Sequence, residues 1–363
     1  MIKKVKLRED ESKRRSSLKK EKPYVYEKIM KYPEKLEKGE STAIIQFQYN
    51  YACNFKCQHC SIDGFQKEKS QRFFTLDDVK NLSKQADEMG LAQFTITGGE
   101  PLIFKDFDEL VAAIDPSKFY IATDTNGWLL DEKRAKHLKS IGVDKVHISL
   151  DSFDAEEHDA FRRTKGSHAR ALKAIDAAKE AGLNILINTI VTNQRIHSEE
   201  FINYLELMKE KDVPTLALYP KLVGLWEGRY DILPDKEGVE FVKKLGEKYK
   251  VFTHLSNFNG INFGCPAVKR MISIIRTGDV MPCPWIYTSL GNVFEEPLKD
   301  ILDRGMNIKY FGNRMETCLS SENLPFIKKY VEGRMYGKKM PVPYTEVFTQ
   351  EDMIKYTKKP QKE

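Results

Sequence analysis

The sequence predicts an α/β protein, a partial (β/α)6 TIM-type barrel over residues 41–222 followed by a small α+β domain over 223–330. Three observations predict it. Six short apolar runs alternate with helical patterns between residues 44 and 220. The runs are continuous rather than alternating, as in strands buried on both faces of a parallel sheet. Polar motif residues fall at the C-terminal ends of successive runs, which is the active face of a barrel. Right-handed crossovers curl such units into a barrel or an open barrel segment.

The elements follow in order. Residues 1–40 form a basic extension, in which 22–40 read as a short amphipathic helix and a loop. The first strand is 44–49 (IIQFQY), and a cysteine-bearing loop follows it. Thr75-Leu-Asp-Asp supplies an N-cap and an acidic first turn for the first barrel helix. The second strand, 93–97, ends in Gly98-Gly99, and a helix near 106–114 leads to the third strand, 119–124. Helix 131–141 precedes strand 145–151. Helix 169–181 ends at Gly182, a C-cap glycine, before strand 184–191. Helix 199–211 and strand 215–220 complete the series. Beyond residue 221 the pattern changes. A helix over 235–249 precedes a hairpin, in which 272–277 turns at Gly278-Asp279 into 280–285. The last 40 residues, with Pro325, Pro341, Pro343 and a lysine-rich end, read as a wrapping extension, partly ordered at most; its distal part is 331–363.

Apolar residues make up 41% of the chain and charged residues 31%, as in a soluble globular protein. No run of about 18 uncharged apolar residues exists, so no membrane span is expected. The N-terminus is charged from its third residue and lacks an apolar core segment, so no secretory signal is expected. The expected compartment is the reducing cytoplasm, where six cysteines serve as metal ligands or catalytic thiols rather than disulfides. The net charge of +6 resides in residues 1–20, which carry nine Lys or Arg against three acids. That tail reads as a solvated, frayed terminus, or as a contact for an acidic partner or a membrane surface. The remainder shows no basic stripe, which disfavours nucleic acid.

Cys53-Asn-Phe-Lys-Cys57-Gln-His-Cys60 places three thiols on one loop directly after the first strand. Each thiolate can take one iron of a four-iron cubane, which normally uses four cysteines. Three leave one iron open to an external ligand, as a catalytic metal site keeps a position open. The competing reading is a zinc site that adds His59, although His59 lies between two ligands, where a third tight chelate is awkward. Thr97-Gly98-Gly99-Glu100-Pro101 sits at the end of the next strand. Two glycines let the backbone approach a ligand, and a carbonyl or carboxylate accepts from an ammonium.

With these two motifs at this offset, residues 43–220 resemble the radical S-adenosylmethionine (SAM) superfamily. The resemblance implies a 4Fe-4S cluster on Cys53, Cys57 and Cys60 whose open iron chelates SAM. It implies that Gly98, Gly99 and Glu100 contact the SAM amino group. Asn126 ends the third strand, and Ser149 and Asp151 end the fourth, where ribose or carboxylate contacts are implied. Arg162 is placed to meet the SAM carboxylate, which suits a guanidinium fork. Asn188 and Val191, on the fifth strand, are implied to flank the adenine. The implied chemistry is reductive cleavage of SAM to methionine and a 5′-deoxyadenosyl radical that abstracts hydrogen from a substrate. A one-electron donor such as ferredoxin or flavodoxin is the implied partner.

Cys265, Cys283 and Cys318 form a second set. Cys283 lies five residues past Gly278, and Cys283-Pro-Trp is followed by Leu290-Gly291-Asn292-Val293 and Pro297-Leu298-Lys299-Asp300-Ile301. This order resembles the SPASM or shortened twitch extension of radical SAM enzymes, which holds an auxiliary iron–sulfur cluster. A full SPASM domain uses seven cysteines for two clusters. Three therefore imply one auxiliary 4Fe-4S cluster, its fourth iron open or held by a non-cysteine ligand. Three buried structural thiols are the alternative.

The implied enzyme is a radical SAM oxidoreductase acting on a ribosomal peptide, a tetrapyrrole or other cofactor precursor, or an amino-sugar type of substrate. His147, Tyr219, Trp226, Trp285 and Tyr287 are candidates to line its pocket, although aromatic residues are more often core. One alternative is a redox-neutral epimerase or isomerase with Cys318 as hydrogen donor. Another is a zinc-stabilised, non-catalytic binding protein.

Overall fold

The computed structural model describes residues 3–4, 9–66, 72–257 and 261–354, with backbone alone for residues 3, 4 and 9–11. The six expected strands are β1 (Ile44–Asn50), β2 (Gln93–Gly98), β3 (Tyr120–Thr125), β4 (Lys145–Ser149), β5 (Asn184–Ile190) and β6 (Thr215–Leu218). Each pairs in parallel with the next. Three further strands extend the sheet: β7 (Val251–Phe252), β8 (Met271–Ile275) and β9 (Val280–Met281). The order is β9-β8-β1-β2-β3-β4-β5-β6-β7. Strand β8 runs parallel to β1, from Met271 beside Ile44 to Ile275 beside Gln48. The hairpin of the C-terminal region therefore grows from the barrel's own sheet. Its two strands meet antiparallel, Ile274 opposite Val280, around Gly278, whose φ of 89° suits glycine.

The helices are α1 (Glu9–Glu21), α2 (Pro23–Met30), α3 (Tyr32–Glu37), α4 (Leu76–Glu88), α5 (Phe107–Ile114), α6 (Glu132–Ser140), α7 (Ala155–Arg162), α8 (Ser167–Glu180), α9 (Glu199–Glu210), α10 (Lys236–Lys248) and α11 (Leu298–Met306). Helix α4 starts where its sequence says. The Asp78 N–H donates to Thr75 Oγ1 at 3.2 Å and the Thr75 N–H to Asp78 Oδ2 at 3.0 Å, a capping box. Its buried stripe is Val79, Leu82 and Ala86. Past the end of α8, Gly182 (φ 70°) and Leu183 return their N–H groups to the carbonyls of Lys179 and Ala178.

Two expectations need correction. The basic tail is not frayed where it is described: residues 9–21 are helical, and α1 to α3 cover the N-terminal end of the barrel. Residues 1–2 and 5–8 of that tail lie outside the described residues. Val25, Ile29 and Tyr32 bury against Ala92, with Leu18 packed on them. The tail's described lysines, Lys13, Lys19 and Lys20, are exposed as expected, whereas Lys22 and Lys28, which follow it, serve backbone carbonyls at the strand starts. Lys28 Nζ is buried, donates to the carbonyls of Leu91 and Lys118 at 3.0 Å each, and pairs with Asp87 at 2.5 Å. Lys22 Nζ donates to Phe119 O at 3.0 Å and Asp144 Oδ2 at 2.6 Å. The C-terminal extension is likewise folded through Ile354, burying Phe326, Tyr330, Val331, Val347 and Phe348; residues 355–363 lie outside the described residues. Among the described residues no helix is long and apolar enough to cross a membrane.

Lys28→Met removes two buried carbonyl contacts and the nearest cation of Asp87, which keeps Tyr24 and Lys118. It is expected to cost about 2–4 kcal/mol in urea unfolding. A change within about 0.5 kcal/mol, the range of an ordinary surface substitution, would contradict the structural role.

Candidate functional site

Inward-facing residues do not fill the barrel. A cavity of about 620 Å³ runs from the C-terminal strand ends to α1. Cys53, Cys57 and Cys60 line its upper end, with Gly98, Gly99 and Glu100. The cysteine loop lies directly on the end of β2. The Gly99 N–H donates to Asn50 O at 2.9 Å and the Glu100 N–H to Ala52 O at 2.8 Å. A Cβ on Gly98 would lie 2.2 Å from Asn50 O, and one on Gly99 would lie 2.0 Å from Ala52 O. Both positions therefore exclude side chains. Gly98 also has a φ of 119°, which L residues avoid.

Cys57 and Cys60 are partly buried, and Cys53 is the most exposed residue of the three although its sulfur points toward the Phe55 N–H. Burial pushes Cys53 up to about 11, with Cys57 and Cys60 adding repulsion, although the Phe55 N–H donates to its sulfur. Burial also raises Cys60, against donation from the Ile62 and Asp63 N–H groups. Arg162 Nη1 stands 3.9 Å from Cys57 Sγ. Thiols close enough to repel one another, N–H donors at sulfur and a nearby cation fit an anionic thiolate cluster. His59 stacks on Phe161 at 4.5 Å, and its buried Nδ1 has no partner among the described residues.

The other predicted residues divide. Glu100 lines the cavity, but its carboxylate is only 1% exposed and is held by donors of the fold. It accepts from Leu102 N at 3.1 Å, Thr125 Oγ1 at 2.8 Å and Asn126 N at 2.7 Å. Burial pushes its pKa up to about 7 against those donors. Asn126 lines the cavity and donates from Nδ2 to Asn54 Oδ1 at 2.8 Å, tying the end of β3 to the cysteine loop. Arg162 and Asp151 hold each other, with Nε and Nη2 each 2.6 Å from Oδ2. Asp151 Oδ1 accepts from Ile190 N at 3.0 Å. Burial acts to raise Asp151, but the Arg162 charge outweighs it and holds the carboxyl at about 2. Asp151 therefore braces Arg162 and does not line the cavity.

Ser149 and Asn188 are register neighbours on β4 and β5, and both line the cavity. Asn188 Oδ1 is buried without a partner among the described residues, a group that awaits a donor. Val191 is fully buried and does not line the cavity; Ile190 does. His147, Tyr219, Trp226 and Trp285 line it, whereas the Tyr287 hydroxyl donates to Ser61 O beneath the cysteine loop. The sequence reading missed Asp124 and Lys145 in the wall. Alternation along β3 and β4 was the available signal: Tyr120, Ala122 and Asp124 all face inward, as do Lys145, His147 and Ser149.

Cys265, Cys283 and Cys318 come together although 53 positions separate the first from the last. All three are buried. The Cys265 N–H donates to Met315 O at 2.7 Å, joining the first segment to the third. Burial pushes Cys265 up to about 11, with Cys318 adding to it, while the Leu319 and Ala267 N–H groups donate to its sulfur. Burial also raises Cys283, with repulsion from both other thiols. The set fits a buried thiolate cluster as the first set does. None of the three lines the cavity.

An open barrel with two cysteine sets, one facing the lumen, defines an iron–sulfur enzyme. The family model of the radical SAM superfamily matches residues 48–208, and that of the SPASM iron–sulfur cluster-binding domain matches residues 265–321. The chain is 25% identical over 313 residues to an AdoMet-dependent heme synthase of Nitratidesulfovibrio vulgaris, covering 78% of this chain and 85% of that one. It is 27% identical over 322 residues to a GTP 3′,8-cyclase of Sulfurovum sp., covering 82% and 93%. Among solved structures, Streptococcus suis SuiB bound to precursor peptide SuiA shares the fold at TM-score 0.58 and 20% identity, over 76% of this chain and 69% of that one. The structure of anSMEcpe with bound AdoMet shares it at TM-score 0.54 and 20% identity, over 72% and 80%. The chain carries a radical SAM domain over residues 48–208 and a SPASM domain over residues 265–321. It is an enzyme whose radical SAM domain requires a 4Fe-4S cluster and SAM, and whose SPASM domain binds additional iron–sulfur cluster. This sets aside the zinc-stabilised, non-catalytic reading.

The Asp151–Arg162 pair generates a pH prediction. The folded carboxyl sits near 2 against an ordinary 3.8, so the pair stabilises the fold above pH 4 and loses that contribution as pH falls toward 2. Asp151→Asn is expected to lose about 3 kcal/mol at pH 7, and less at pH 3, in urea unfolding. Equal losses at both values would contradict the pairing.

Proposed function

We propose that the enzyme is an oxidoreductase that uses the lumen as its substrate chamber and carries one auxiliary 4Fe-4S cluster. The observation that carries this reading is the shared cavity: the cysteine loop, the strand-end glycines, Ser149, Asn188 and the aromatic wall all open into it. Cys53, Cys57 and Cys60 would hold the first cluster, and Cys265, Cys283 and Cys318 the auxiliary one. When bound, the first cluster and SAM supply one-electron cleavage to methionine and a 5′-deoxyadenosyl radical that takes hydrogen from substrate.

The chain's own residues then have distinct roles. Gly98 and Gly99 hold the cysteine loop against β2. Asp151 orients Arg162, whose Nη1 faces the loop and is suited to a carboxylate. Asn188 offers its unpartnered Oδ1 to the donor edge of a nucleobase. The helices α1 to α3 exclude water from below. A chamber of this size suits a small molecule, and the heme synthase relative supports a tetrapyrrole-type or other cofactor precursor over a peptide. Cys318 is buried beside Cys265, away from the lumen, which favours a ligand over a hydrogen donor and oxidation over epimerisation. The electron donor is of the ferredoxin or flavodoxin type, and the compartment is the cytoplasm.

Anaerobic reconstitution is expected to give about eight irons per chain, and about four after Cys265, Cys283 and Cys318 are all changed to Ala. Under dithionite with SAM, Cys53→Ala is expected to abolish 5′-deoxyadenosine formation, measured by chromatography. Undiminished formation in that variant would overturn the assignment of the first site.

A further inference from the structure

We propose that the floor of the barrel is an anion-binding site, built from Lys145 of β4 and Arg15 of α1, that takes the carboxylate or phosphate of the substrate. This rests on the lumen being the substrate chamber. The charges around the lumen lead to it. Most of the lining charges are already answered by the fold. Asp124 accepts from His147 Nδ1 at 2.7 Å, and Asp144 from Lys22 at 2.6 Å and Ile121 N at 2.8 Å. Glu21 accepts from Ser17 Oγ at 2.6 Å. Arg162 is held by Asp151, Arg270 Nη2 donates to Gln93 Oε1 at 2.7 Å, and Lys221 Nζ to Tyr219 O at 2.6 Å.

Two cations remain. Among the described residues, neither the Lys145 nor the Arg15 side chain has a hydrogen bond or ion pair, yet both line the cavity, and only the more distant charge of Asp124 attracts Lys145. Arg15 Nε is buried with no partner. A desolvated cation without a counter-ion is costly unless a ligand supplies the charge. Burial and the nearby Arg14 lower Lys145 to about 8, the direction expected of an ammonium awaiting an anion.

The geometry also sets a length. Lys145 lies four residues below Ser149 on β4, roughly 13 Å along a strand. The anionic group would thus sit about that far from the level of the cysteine loop. His147 stands midway. Burial keeps its ring neutral, and its Nδ1 bond to Asp124 assigns the proton there, leaving Nε2 as an acceptor. The chamber therefore selects an extended small molecule with an anionic end and a donor group near its middle. The N-terminal helix becomes part of the recognition site.

The test is calorimetric titration of anaerobically reconstituted protein with inorganic phosphate and, separately, succinate at low salt, with iron measured on the same samples. The wild type is expected to bind at least one of them saturably. Phosphate binding alone identifies a phosphate site, and succinate binding a carboxylate site. Lys145→Met and Arg15→Gln are each expected to weaken binding about tenfold, while Lys145→Arg retains it. Urea unfolding midpoints confirm that the compared variants are folded. Iron-replete protein that binds neither anion, or binds them equally well in Lys145→Met and Arg15→Gln, would overturn this inference while leaving the cluster reading intact. Protein that takes up no iron would overturn the parent reading.

Discussion

At the end of β2 two backbones meet with no room for a side chain between them, and the functional end of the molecule depends on that contact. The parallel pairing of β1 and β2 continues past both strands. Gly99 and Glu100 donate to the carbonyls of Asn50 and Ala52, so the cysteine loop begins as an extension of the sheet. Any Cβ at Gly98 or Gly99 would strike those carbonyls and lift the loop away. Glu100 then ties the segment to β3 through Thr125 and Asn126, and Asn126 ties back to Asn54 inside the loop. Three thiols are thereby positioned by rigid backbone and not by the loop's own preferences.

The second cysteine set is fixed to the same frame. Strand β8 pairs along the length of β1, so the segments bearing Cys265 and Cys283 flank a strand that abuts the first cysteine loop. The Tyr287 hydroxyl reaches Ser61 O, and a Cβ on Gly224 would meet Cys60 O at 2.6 Å. A sheet shared between the two sites ties them to one frame.

Much of the fold was legible in the sequence because strand, helix and cap signals were locally consistent. The runs at 44–49, 93–97 and 184–191, the Thr75 cap and the Gly182 stop all acted through neighbours in sequence. A lysine looks the same in sequence whether it meets water or a carbonyl ninety residues away. Lys28 shows the difference, since Leu91 and Lys118 decide its environment. Within the site, the cysteine and glycine motifs were legible by spacing. The internal partners of Glu100 and Asp151 were not, because a carboxylate facing a ligand and one held by the fold have the same sequence signature. The two glycines were found for a reason that needed sharpening: they admit the cysteine loop itself. Lys145 went unnoticed because a lone lysine at a strand start reads as an edge residue until the curved sheet and α1 surround it.

The central claim is that three thiolates on this loop hold a cluster with one iron open to SAM. Electron paramagnetic resonance of the reduced variant lacking Cys265, Cys283 and Cys318 tests it most directly, since only the first cluster can contribute. The account predicts a single four-iron signal whose g values shift when SAM is added. A signal unchanged by SAM, in a sample that holds the iron of one cluster, would contradict it.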